Sequence, residues 1–205
     1  MSWRVLHPAD YRRMPWKNGG GWTTELAVYP SEQNSDDSYD WRISIAEIET
    51  NGPFSTFPGY DRAIALLEGI GMELRFDDAE PVRLERRLHF VRFAGETKTD
   101  SVLISGAVRD FNVIFKRETV SADVLHRPLV GPMVFFRDAT WFIYIADGHA
   151  EAKCGDERCA LEKGVALLLF PESGAPRVVL HGGGQVVLVK FSAKSPDAIS
   201  GWTTV

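Results

Sequence analysis

The sequence predicts an all-β protein built from a duplicated barrel, and three observations lead there. Glycine and proline punctuate the 205 residues at short intervals, with runs rich in β-branched and aromatic residues between them. Those runs alternate in twos, and no long stretch carries a convincing 3.6-residue period. An apolar strand ending in an acid–glycine turn occurs twice: Ile64-Ala65-Leu66-Leu67-Glu68-Gly69 resembles Ile143-Tyr144-Ile145-Ala146-Asp147-Gly148.

In chain order, the turn after Pro8, through about residue 13, is the one modest helix candidate. Strand patterns follow at 22–29, 41–46, 62–67, 72–76, 88–93, 111–116, 120–126, 141–146, 165–170, 177–181 and 185–191. In the first, Trp22, Thr24, Leu26 and Val28 alternate with Thr23, Glu25, Ala27 and Tyr29; in the second, Trp41, Ile43 and Ile45 alternate with Arg42, Ser44 and Ala46. Many short strands separated by turn signals make a sandwich or a barrel. Ser31-Glu32-Gln33-Asn34-Ser35-Asp36-Asp37-Ser38 is polar and acidic and reads as an exposed, mobile loop. A second echo pairs Ala94-Gly95-Glu96 with Lys163-Gly164-Val165. Each echo alone is weak, because strand–acid–glycine turns are common. Together they have the cadence of two cupin half-barrels with a seam near residues 116–119. The expected division is 1–116 and 117–205, the two halves forming one compact unit.

A chain 44% hydrophobic and 25% charged is ordinary globular material. The net charge of -5 argues against a general nucleic-acid or membrane-surface binder, which needs clustered Lys and Arg. The longest apolar run, 165–170, is too short to span a bilayer, and the N-terminus lacks the apolar centre of a signal peptide. Cys154 and Cys159 make neither a disulfide framework nor a zinc site. A soluble, reduced, cytoplasmic protein is expected.

The stretch Met14-Pro15-Trp16-Lys17-Asn18-Gly19-Gly20-Gly21-Trp22 sets a glycine triplet beside a cation, an amide and two indoles. Glycine is costly to order and is retained where positive φ or close backbone approach is needed. Lys17 precedes the glycines and no Ser or Thr helix follows, so this is no phosphate loop. A ligand site and a tight loop packed on Trp16 and Trp22 both fit. Asn51-Gly52-Pro53 and Pro58-Gly59 force turns around Phe54, Ser55 and Phe57. Aromatics so held wall a pocket, plug a barrel end, or do both.

Arg42 and Arg62 lie inside strand patterns, where a buried guanidinium needs a partner. Asp61 or Glu47 is a structural candidate; an anionic ligand gripped by the guanidinium fork is the functional one. Asn112, in Asp110-Phe111-Asn112, offers an amide to a ligand or forms a turn. The five histidines, His7, His89, His126, His149 and His181, are not at metal-ligand spacing. No Gly-x-Ser-x-Gly elbow supports a serine nucleophile. No metal and no cofactor are expected.

Trp16-Lys17-Asn18-Gly19-Gly20-Gly21, Trp41-Arg42-Ile43-Ser44-Ile45-Ala46, Gly52-Pro53-Phe54-Ser55-x-Phe57-Pro58-Gly59-x-Asp61-Arg62, Leu67-Glu68-Gly69 and Asp110-Phe111-Asn112 resemble the HutD/Ves family. The match is close over about residues 10–116 and loose beyond. The resemblance implies a bicupin, two fused cupin-type barrels of the RmlC-like jelly-roll kind with one or two short helices, and no bound metal. For the HutD branch it implies a modulator of histidine utilisation that senses a pathway intermediate, with N-formylglutamate, urocanate or formate as the ligand class. The Ves branch is associated with cold and stress responses. Ligand contacts are expected from Trp16, Lys17, Asn18, Gly19, Gly20, Arg42, Ser44, Phe54, Ser55, Phe57, Arg62 and Asn112, the glycines through backbone N–H groups. The alternatives are a metal-free isomerase or deformylase with Lys17 as base, and an assembly module that forms a homodimer.

Overall fold

The structure is a computed structural model that describes residues 3–30, 39–77 and 79–194. The acidic loop expected at Ser31 to Ser38 lies outside them. The strands are β1 (Trp3–Leu6), β2 (Arg12–Pro15), β3 (Gly21–Tyr29), β4 (Trp41–Ile48), β5 (Gly52–Pro53), β6 (Tyr60–Glu68), β7 (Met72–Phe76), β8 (Ala79–Leu84) and β9 (Val91–Ala94). They continue with β10 (Thr99–Leu103), β11 (Val108–Lys116), β12 (Val120–Leu129), β13 (Met133–Phe135), β14 (Thr140–Cys154), β15 (Glu157–Glu162), β16 (Ala166–Leu169) and β17 (Val178–Ala193). The helix expected after Pro8 is a single 3-10 turn, Pro8–Asp10, and the chain is already extended at Arg12. His7 N donates to Asp10 Oδ2 at 2.8 Å, so the acid closes this turn rather than opening a longer helix. No helix of the described residues is long and apolar enough to cross a membrane.

The chain divides into two compact units, Tyr11–Glu118 and Met1–Asp10 with Thr119–Val205. This corrects the 1–116 and 117–205 division at its beginning. The first strand belongs with the later half because β1 pairs antiparallel with β16, Trp3 opposite Leu169 and Leu6 opposite Ala166.

The first unit, Tyr11–Glu118, contains a six-stranded sheet ordered β2-β3-β4-β11-β6-β9 and a four-stranded sheet ordered β5-β10-β7-β8. The central strands β4, β11 and β6 are buried almost throughout. An apolar core of Ile48, Ile64, Leu66, Met72, Leu74, Leu84 and Val108 joins inward residues of both sheets. The second unit carries a seven-stranded sheet, β1-β16-β14-β17-β12 with β13 on β17 and β15 on β14. Its interior is apolar, with Ile143, Ile145, Leu167, Leu169, Val178, Leu180, Val186 and Leu188 at its centre.

Candidate functional site

Cross-strand register assembles the site on β4, β11 and β6. Arg42 and Arg62 flank Ile114; Ser44 and Ile64 flank Asn112; Ala46 and Leu66 flank Asp110. Paired residues share a face, and successive pairs on that face are about 7 Å apart. These rows run from two cations, through two polar groups, to a carboxyl beside the apolar core. Thr23 of β3 is opposite Ala46 and extends the last row.

A cavity of about 600 Å³ opens over this face. It is lined by Trp16, Lys17, Asn18, Thr23, Arg42, Ser44, Ala46, Pro53, Phe54, Ser55, Phe57, Arg62, Asp110, Asn112 and Ile114. Arg62 is 6% exposed, and its guanidinium carbon lies 5.2 Å from the Phe54 ring centre, 5.4 Å from Phe57 and 5.2 Å from Phe93. This phenylalanine cage favours a cation electrostatically while stripping its water. Arg62 Nη1 donates to Ser55 O at 3.3 Å and Nη2 to Asn112 Oδ1 at 2.9 Å, while Nε has no partner. Among the described residues no carboxylate reaches ion-pair distance of Arg62.

Asp110 lies two rows from Arg62, beyond direct reach, and Asn112 bridges them. An arginine only donates, so the Asn112 oxygen must face Arg62 and its Nδ2 must face Asp110. Asn112 Nδ2 accordingly donates to Asp110 Oδ1. Asp110 Oδ2 is buried and unpartnered, and Asp110 is 0% exposed. Burial pushes the Asp110 carboxyl up to about 7, with Arg62 opposing the rise. Burial also brings the Arg62 guanidinium down to about 10, with Asp110 opposing the fall, so Arg62 stays charged at neutral pH.

Of the residues expected to hold ligand, Trp16, Lys17, Asn18, Arg42, Ser44, Phe54, Ser55, Phe57, Arg62 and Asn112 line the cavity. Gly19 and Gly20 do not, and their amides are already used. Gly19 N donates to Trp16 O at 3.1 Å and Gly20 N to Asn18 Oδ1 at 3.0 Å. The triplet is a hairpin loop between β2 and β3: Gly19 has φ +71°, and a Cβ on Gly21 would collide with Glu47 O on β4. Trp16 is held by its Nε1 donating to Thr23 Oγ1 at 2.8 Å. Trp22 points to the opposite face from Thr23, with the Arg13 guanidinium 4.2 Å over its ring. Lys17 is exposed at the rim.

The structural partners proposed for the arginines are also corrected. Asp61 pairs with Arg117 at 2.7 Å and Glu47 with Arg13 at 2.7 Å. Arg42 instead lies with Nε 3.0 Å from Glu25 Oε2, leaving Arg62 a buried cation with no carboxylate in contact among the described residues. Asp110 was absent from the expected site, as were Thr23, Ala46, Pro53 and Ile114. The period-two spacing of Asp110, Asn112 and Ile114 carries the missed signal, because it puts all three on the face that Asn112 occupies. Among the described residues no group of three or more His, Cys, Asp and Glu side chains is placed to hold a metal.

The HutD family model matches residues 8–188. The chain belongs to the HutD family. It is 46% identical over 112 residues to an uncharacterised 21.2 kDa protein of the hutC 3' region of Pseudomonas putida, covering 55% of this chain and 57% of that protein. It is 38% identical over 119 residues to the protein Ves of Citrobacter koseri, covering 56% and 60% respectively. These matches therefore span under two thirds of the curated relatives' length. Among solved structures, HutD from Pseudomonas fluorescens SBW25, in a formate condition, superposes with a TM-score of 0.80 at 31% identity over 94% of this chain and 100% of that one. The bacterial pirin YhhW of Escherichia coli, in complex with nickel(II), superposes at 0.68 with 10% identity over 92% of this chain and 98% of that one, a likeness of fold alone. The fold of this HutD-family chain is a bicupin.

Proposed function

We propose that this protein is a non-catalytic, carboxylate-binding regulator of histidine utilisation. In this reading it senses N-formylglutamate, urocanate or formate in the cavity of its first unit. HutD membership and the names of the Pseudomonas relatives support the pathway. The ligand chemistry rests on one observation: Arg62 is buried, charged and caged by phenylalanines, yet has no carboxylate partner. A ligand carboxylate supplies that partner. Arg42, Ser44 and Asn18 then present polar groups to the rest of the ligand, Lys17 attracts it at the mouth, and Phe54, Phe57 and Trp16 exclude water, which strengthens each contact. Trp16 lines the cavity, so intrinsic fluorescence reports binding. Saturable quenching or enhancement with at least one of the three compounds, matched by calorimetry, is expected; a flat response to all three removes the reading.

A second reading, a metal-free isomerase or deformylase, draws on Asp110, a buried carboxyl able to carry a proton near neutrality. Turnover of N-formylglutamate or urocanate by chelator-treated protein, abolished in Asp110→Asn, would promote it. The alternative of a homodimerising assembly module predicts a doubled mass in light scattering, independent of any carboxylate.

A further inference from the structure

We propose that the cavity captures its carboxylate together with one proton, which resides on Asp110 Oδ2. This deepens the carboxylate-binding reading and rests on it. The argument is one of charge in a dry site. Without ligand, Arg62 and Asp110 are the buried opposite charges, linked through Asn112 and not in contact. A ligand carboxylate that docks on Arg62 brings a second negative charge into the same low-dielectric space. Two carboxylates cannot both remain ionised beside one cation at little cost, so one must be neutralised. The ligand end sits on the guanidinium, whereas Asp110 lies beside Ala46 and Leu66, so Asp110 takes the proton.

Hydrogen bonding fixes where that proton sits. Asp110 Oδ1 must accept from Asn112 Nδ2, which leaves Oδ2, unpartnered and buried in the cavity lining. Protonated, Oδ2 becomes a donor, and with Arg62 Nε it gives these two cavity-lining residues two buried donors without a protein partner. The surrounding charged and titratable groups do not replace this role. Arg42 of β4 is engaged by Glu25 of β3, and Lys17 of the β2–β3 loop is at the rim. Arg109, next to Asp110 in the chain, turns to Glu68 of β6 at 3.0 Å. The Tyr39 phenol, near Arg42 and Arg62, is held above its ordinary value by burial and so stays neutral.

Formate and N-formylglutamate serve as probes because neither titrates near neutrality. Calorimetry of the native protein in two buffers of different ionisation enthalpy counts protons. Uptake is expected to approach one proton per ligand at pH 8 and to vanish by pH 5, with affinity falling up to tenfold per pH unit above neutrality. Asp110→Asn should abolish both the uptake and the slope. A carboxyl carbon-13 spectrum of the native protein, labelled at aspartate, should show one buried carboxyl moving to its protonated position when either probe is added. This needs no variant to fold. Saturable binding without proton uptake, uptake that persists in Asp110→Asn, or an unmoved carboxyl overturns the proposal and leaves the binding reading standing. No saturable binding at any pH overturns both.

Discussion

Arg62 is held for its charge, in surroundings that offer that charge little return. A guanidinium stripped of water without a carboxylate in contact is costly, yet removing it alone leaves Ser55 O and Asn112 Oδ1 without their donor and Asp110 without its nearby cation. Arg62→Met should therefore fold but melt below the native protein, losing about 1–3 kcal/mol for each acceptor left unpaired. Its carboxylate affinity should drop at least tenfold, since each charge-assisted hydrogen bond contributes about 1.5–3 kcal/mol. Native-like affinity in this variant removes Arg62 from the site. Asp110 makes a separate prediction about stability. Its carboxyl is raised in the folded state, so the native protein binds a proton there that the unfolded chain gives up near pH 4. That contribution is complete below the unfolded value and is lost as pH rises through about 7. Urea titrations of Asp110→Asn should show the variant gaining on the native protein between pH 5 and pH 8, by at most about 3 kcal/mol. A difference that does not change with pH contradicts the raised carboxyl.

At the scale of elements, the glycine triplet separates two roles. Gly19→Ala places a side chain in open space at φ +71°, at a cost of about 1 kcal/mol, and should leave carboxylate binding intact because no ligand uses that amide. Gly21→Ala forces β3 away from β4 and should lower the thermal midpoint far more. Equal melting losses in the two variants would contradict this account of the hairpin. The alternating runs placed the central strands well. The expectation at 62–67 became β6 (Tyr60–Glu68), and that at 72–76 became β7 unchanged. What failed was glycine used as punctuation. The patterns at 177–181 and 185–191 form one strand, β17, with Gly182, Gly183 and Gly184 inside it. There Gly148 faces Gly184, and a Cβ on either would strike backbone, so these glycines permit close strand approach and do not end the strand. Local composition cannot distinguish the two uses, because both need an absent Cβ.

For the whole molecule, the two units differ in what they bury. In the first unit, Ser44, Arg62, Asp110 and Asn112 are buried on one face; the second has an apolar core cluster, mostly of aliphatic side chains. Every cavity residue belongs to Tyr11–Glu118. Deleting residues 1–10 strips β1 from β16 and exposes apolar surface that Trp3 and Val5 cover. The truncated chain should unfold at lower temperature while the carboxylate titration keeps its native midpoint. A lost titration in a folded truncation would place part of the site in the second unit.

By itself the sequence determined the all-β class, the duplicated strand plan, the family and most of the cavity lining. These follow from period-two patterning, turn residues and short motifs, all of them local. Tertiary structure decided the rest. It gave Glu25 to Arg42, Asp61 to Arg117 and Glu47 to Arg13, and so left Arg62 with no carboxylate in contact. It put β1 with the later half, closed the amides of Gly19 and Gly20 inside their own loop, and brought Asp110 within one amide of Arg62. Register across strands far apart in the chain sets each of these outcomes, and a charge's meaning depends on which neighbour that register delivers.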